Sequence, residues 1–192
     1  MKRALFTVTF LMASFHAVAA QGWRQPQTLN GSHYTEVSAA GHTPDGQALT
    51  TLTVQCYGGR NGYISFTYGI HQAGKIRSFD FTPFDGKDVP ASDEKLVNVT
   101  ARTKKMDYAI KTSVNGGMTN RDRPDVFEFS FGANINTRSA AMRLAQVIRR
   151  GVSVISVRVQ AFRDPARAIY TDFPTSGAAE AVSKTLRACG KR

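Results

Sequence analysis

Apolar and polar residues alternate with period two over most of the chain, and with helical spacing only near its end. Leu52, Val54 and Cys56 alternate with Thr51, Thr53 and Gln55, and Ile64, Phe66, Tyr68 and Ile70 alternate with Ser65 and Thr67. Side chains two apart share one face of a strand, so these runs predict half-buried strands over Leu49–Cys56 and around 64–70. Tyr34–Ala40 reads as a strand pairing with Leu49–Cys56, because Pro44-Asp45-Gly46 between them supplies turn chemistry. Further strands are expected over Lys75–Phe81, Lys95–Ala101, Met106–Val114 and Phe127–Phe131, where Phe127, Phe129 and Phe131 alternate with Glu128 and Ser130. Gln21–Ser32, with Trp23 and no period, reads as a loose lead-in. Thr82–Glu94 and Asn115–Pro124 read as loops.

The pattern changes at Arg138. Ala140, Ala141, Leu144, Val147 and Ile148 fall on one helical face over Arg138–Arg150. Asn136 or Thr137 is the expected cap and Gly151 the stop. Strands over Val152–Phe162 and Ala166–Asp172 follow, then a helix over Ala178–Cys189 with Ala178, Ala181, Val182, Thr185, Leu186 and Cys189 on one side. Eight or nine short strands and two late helices predict a mainly β fold. The expected form is an antiparallel sandwich or half-open barrel with both helices in the C-terminal half. Cys56 and Cys189 are the only cysteines, and both point inward, so one disulfide between them is expected to close the fold.

The first twenty residues change the picture of where this happens. Lys2 and Arg3 precede an apolar run from Ala4 to Ala20 that ends in small residues, the pattern of a cleaved secretory signal peptide. Residues 21–192 are then one mostly-β domain in the periplasm or outside the cell, where disulfides persist. The leader holds two of the 25 basic residues and none of the 14 acidic ones, which leaves an excess of nine positive charges. Such an excess steers association with anions. The expected partner is an envelope protein or an anionic surface polymer, not nucleic acid. No transmembrane segment is expected once the leader is gone. Arg102, Lys104, Lys105, Arg121, Arg123, Arg149, Arg150 and Arg158 form the candidate anionic-ligand patch.

Enzyme chemistry finds little support. Ser92-Asp93-Glu94-Lys95 matches Ser-x-x-Lys, but it precedes a strand where that chemistry needs a helix, and its companion motifs are missing. His33, His42 and His71 are scattered, which provides no metal set, and the acidic residues of 80–94 lack the alternation of a calcium loop. Gly58–Gly62 opens no helix and so is no phosphate cradle. No Gly-x-Ser-x-Gly elbow and no paired carboxylates stand out, and Glu128 falls on the outer face of its strand. No catalytic residue, cofactor or metal is therefore assigned. A non-enzymatic envelope binding or accessory protein is the first expectation. An inhibitor or immunity protein against a periplasmic enzyme is the second, and an envelope hydrolase the third.

A helix rich in Ala and Leu, a Gly stop, a Val-rich strand and a second strand are followed by Asp172-Phe173-Pro174-Thr175-Ser176-Gly177 and an Ala-rich helix ending at Cys189-Gly190. This C-terminal third resembles small exported proteobacterial β proteins, those of the type VI secretion-associated VasI family and, less closely, the invasion-associated locus B family. Cys56 resembles the upstream cysteine of the former. The resemblance implies a periplasmic accessory protein, with a link to a secretion system among its expected roles, and brings no catalytic residues with it.

Overall fold

Ten antiparallel strands and two helices build the fold in the computed structural model, which describes residues 22–58, 62–86, 91, 94–118, 125–134 and 139–190. In chain order the strands are β1 (Gln27–Leu29), β2 (Ser32–Thr43), β3 (Gly46–Tyr57), β4 (Tyr63–Ile70), β5 (Val97–Arg102), β6 (Asp107–Thr112), β7 (Asn115–Met118), β8 (Phe127–Asn134), β9 (Val154–Gln160) and β10 (Ala168–Phe173). Helix α1 spans Ala140–Arg149 and α2 spans Ala178–Gly190. The spatial order is β6-β5-β9-β10-β2-β3-β4-β8-β7, with β1 beside the start of β2. Helix α1 touches β4 and β8 towards one end of this order and β5 and β6 at the other. The sheet therefore curls around the helices as a half-barrel, the open-barrel form of the expected fold, and one apolar core fills its inside.

The β2–β3 hairpin is the longest element. Its twelve pairs run from Ser32↔Tyr57 to Thr43↔Gly46. Pro44 and Asp45 make the turn, and Gly46 sits at φ 129, a backbone region that favours glycine. The Asp45 carboxylate accepts hydrogen bonds from the Ser78 hydroxyl and amide, and these hold its pKa below the usual carboxylate range. Leu52, Val54 and Cys56 are buried together, as the alternation requires. Cys189, on the inner face of α2, is bonded to Cys56 with Cα atoms 5.9 Å apart. The bridge fits an oxidising compartment. No helix among the described residues is long and apolar enough to cross a membrane.

Four expectations need correction. Lys75–Phe81 is not a strand: Ala73–Lys75 is a short 3-10 helix, and the chain runs irregularly to a second one at Thr82–Phe84. Both edges of β4 are already taken by β3 and β8, so this segment has no ladder to join. Its alternation reflects aromatic anchors: Phe79 and Phe84 are buried, and Phe81 packs on Phe127 and Phe129 with ring centroids 4.8 and 6.3 Å away. Asn115–Met118 is a strand against β8, although it reads as a loop. A Cβ at Gly116 would lie 2.5 Å from the Phe84 carbonyl oxygen, so this glycine marks a close approach of two backbones. The cap of α1 is Ser139, whose hydroxyl accepts from the Met142 amide; Asn136 and Thr137 lie outside the described residues. The lead-in is packed along β2: Trp23 is buried and donates its indole N–H to the Pro174 carbonyl at 2.8 Å. Arg24 hydrogen-bonds through its backbone to Glu36 and its guanidinium reaches the Glu36 carboxylate at 3.3 Å.

Between β2 and β10 the ladder consists of one pair, Tyr170↔His42. Polar side chains close this seam from inside. The Thr50 hydroxyl donates to the Ala39 carbonyl at 2.9 Å and lies 3.0 Å from the Thr171 hydroxyl, which meets the Tyr68 phenol at 2.7 Å. Burial pushes the Tyr68 pKa up from its ordinary 10.0. Above pH 10 the unfolded chain loses this proton while the folded chain keeps it, so Tyr68 makes stability fall as pH rises. Chemical denaturation should show a shallower alkaline loss in Tyr68→Phe than in the wild type; equal slopes would show that Tyr68 is not responsible.

Candidate functional site

The residues of the candidate basic patch are distributed over several parts of the fold. Lys104 and Lys105 occupy the turn between β5 and β6. Arg150 is the C-cap residue of α1. These three line a single cleft of about 630 Å³, together with Met106, Val147 and Val152. Two backbone contacts bring the turn and the helix end together. Val154 is the ladder partner of Arg102, and the Ser153 amide donates to the Arg102 carbonyl at 2.8 Å. Gly151 lets the chain leave α1 and turn directly into β9, with φ at 91. The cleft floor is apolar and open: Met106 is 55% exposed, and Val147 and Val152 are half-buried.

The other described members of the patch do not line this cleft. Arg102 is tied to Asp107 by a 2.9 Å ion pair, and that contact raises its pKa further. Arg149 is exposed in the last turn of α1, where its charge complements the helix dipole. Arg158 is exposed on the outer face of β9, four residues beyond Val154 and so roughly 13 Å along the strand. There it has Asn98 of β5 and Tyr170 of β10 as ladder partners. Asn98 is paired in turn with Lys111, and the Tyr170 ring stacks on His42 at 4.7 Å. The outer face of β6-β5-β9-β10 thus carries Lys111 and Arg158 with Asn98 between them, apart from the cleft. Arg121 and Arg123 lie outside the described residues, as do residues 1–20, Ser92 and Asp93.

The patch as read from the sequence contains the cations of the cleft but not its floor. Met106 was expected inside a strand, and Val147 in the buried stripe of α1. The half-exposure of Val147 beside an exposed Met106 is a tertiary result. Among the described residues, no group of three His, Cys, Asp or Glu side chains is placed to hold a metal ion.

A second groove, also about 630 Å³, runs around the edge of β8 that no described strand covers. Strand β7 covers β8 only from Phe127 to Ser130. Beyond that point the outer faces of β3, β4 and β8 present Gln55, Tyr57, Tyr63, Ser65 and Thr67 to the groove, with Ser113 and the first turn of α1 opposite. Comparison with protein-family models, with curated proteins and with solved structures returns no match to this chain. None of the three therefore bears on the resemblance of the C-terminal unit.

Proposed function

We propose that this is an exported, non-enzymatic protein of the periplasm that binds an anionic amphiphile of the cell envelope, a phospholipid or lipopolysaccharide headgroup with its adjoining acyl chain. The signal-like leader and the disulfide support export. The resemblance to exported accessory proteins, including those associated with secretion systems, points the same way. The observation that carries the ligand class is the cleft between the β5–β6 turn and the end of α1. Lys104, Lys105 and Arg150 supply positive charge around a floor of Met106, Val147 and Val152. A purely hydrophilic polyanion has no use for that floor, and a neutral apolar ligand has no use for that rim.

Sedimentation with vesicles tests the reading. The protein should bind vesicles containing phosphatidylglycerol and not those of phosphatidylcholine alone, with affinity dropping steeply between low and physiological ionic strength. A cation near an anionic surface contributes about 1 kcal/mol, so Lys104→Gln, Lys105→Gln and Arg150→Gln together should weaken binding by roughly 100-fold. Met106→Ser should weaken it at high salt as well. Binding that ignores salt, or that survives the triple substitution, would rule this mode out.

A further inference from the structure

The groove at the edge of β8 has a different chemistry from the basic cleft. The chain carries a formal charge of +11, yet none of the described residues lining this groove is Lys or Arg. Besides apolar groups such as Val114, Phe131 and Ala140, its lining holds hydroxyls, the Gln55 amide and two tyrosines, groups that donate and accept at once.

Tyr57 and Tyr63 are direct ladder partners at the open end of the β3–β4 pair, and they are 44% and 41% exposed. Strand alternation puts both on the outer face with Gln55, Ser65 and Thr67. Tyr63 does not stand away from the sheet. A Cβ built on Gly132 would lie 2.5 Å from the Tyr63 phenol oxygen and 2.6 Å from its Cε1, so the ring lies across the glycine of the neighbouring strand. The phenol oxygen and Cε1 are the ring atoms nearest Gly132, and the side chain is half-exposed. Next to this platform, Ser65 has Gln55 on one side and Gly132 on the other as ladder partners. The Gln55 amide nitrogen is held by the Ser32 hydroxyl at 2.9 Å, which orients its oxygen as an acceptor. Thr67 and Ser130 share a hydrogen bond of 2.9 Å one step further along. The hydroxyls of Tyr57, Tyr63 and Ser65 have no hydrogen-bond partner among the described residues. From Tyr63 to Thr67 the array runs roughly 13 Å along the strand.

We infer that this groove is a second binding site, which takes a neutral glycan chain. A sugar ring offers an apolar C–H face to a flat aromatic ring and a rim of hydroxyls to neighbouring donors and acceptors. A preformed aromatic platform beside a row of hydroxyls matches both. The site is distinct from the basic cleft and engages a different class of envelope component.

Saturation-transfer NMR with maltohexaose and hexa-N-acetylchitohexaose, both uncharged, tests the inference on the mature protein. Transfer to the ring protons of at least one of the two is expected, at an affinity indifferent to salt. Tyr63→Ala should weaken binding roughly tenfold, and Tyr63→Phe, which keeps the ring, should recover most of it. Lys104→Gln with Lys105→Gln should leave glycan binding unchanged, and Tyr63→Ala should leave vesicle binding unchanged, so the two sites fail independently. No transfer to either glycan overturns the inference. So does an unchanged glycan affinity in Tyr57→Ala and Tyr63→Ala proteins whose melting midpoints match the wild type.

Discussion

Cys189→Ala is expected to lower the unfolding free energy by about 2–5 kcal/mol. The bridge joins residues 133 apart. A closed loop of that size restricts the unfolded chain by an amount the chain-entropy model puts at about 5 kcal/mol, and residual structure in the unfolded state reduces it. The helix that carries Cys189 does not depend on the bridge alone. Ala178, Ala181, Val182 and Thr185 are buried along the same face. The variant should therefore fold, with the last turn of α2 released first. Denaturant titration of wild-type and variant protein, with the bond confirmed by non-reducing mass spectrometry, measures the difference. An unchanged midpoint, or two alkylatable thiols in the wild type, would remove the bridge from the account of stability.

Gly41→Val should be comparably damaging, for a local reason. A Cβ at this position would fall 2.5 Å from both the Thr171 hydroxyl oxygen and the Thr50 methyl. Both threonines are fully buried, so neither can swing away. Overpacking costs about 1–3 kcal/mol, and displacing Thr171 strips the buried Tyr68 hydroxyl of its partner for about 1–3 kcal/mol more. A loss of roughly 2–6 kcal/mol is expected by chemical denaturation. Thr171→Val, which removes the hydroxyl without crowding the seam, should cost only the second part. The two substitutions together should cost less than the sum of their separate effects, because they break the same network. Full additivity would mean that the seam is not held as described.

How much of this was legible in the sequence follows from how local each signal is. The β2–β3 hairpin was readable because Pro44-Asp45-Gly46 and the alternation around it act within a few residues. The inner faces of α1 and α2 were readable for the same reason, and Cys56 could be paired with Cys189 because the chain holds no other cysteine. The 75–81 segment was misread because Phe79 and Phe81, two apart, imitate strand alternation while serving with Phe84 as anchors for an irregular segment. Gly116 was misread because a turn glycine and a close-approach glycine look alike until the Phe84 carbonyl is in place. Trp23 carries no period, so its burial against Pro174 left no trace in the pattern. At the candidate sites the cations were visible and their grouping was not. Lys104 and Arg150 meet only because β5 pairs with β9, and no local feature of either strand encodes that pairing.

That same pairing orders assembly in time. Strands β2, β3 and β4 are consecutive in the chain and find one another with short connections. The β5–β6 hairpin forms in mid-chain, but its place in the sheet is beside β9, and β9 reaches β2 only through β10. A chain emerging from its N-terminus therefore carries this hairpin unattached until residues 154–173 have followed. The basic cleft, which needs both the hairpin tip and the end of α1, comes into existence only when the protein is almost fully delivered. A chain stalled or clipped before β9 would present the β5–β6 turn with its lysines but without the cleft they belong to.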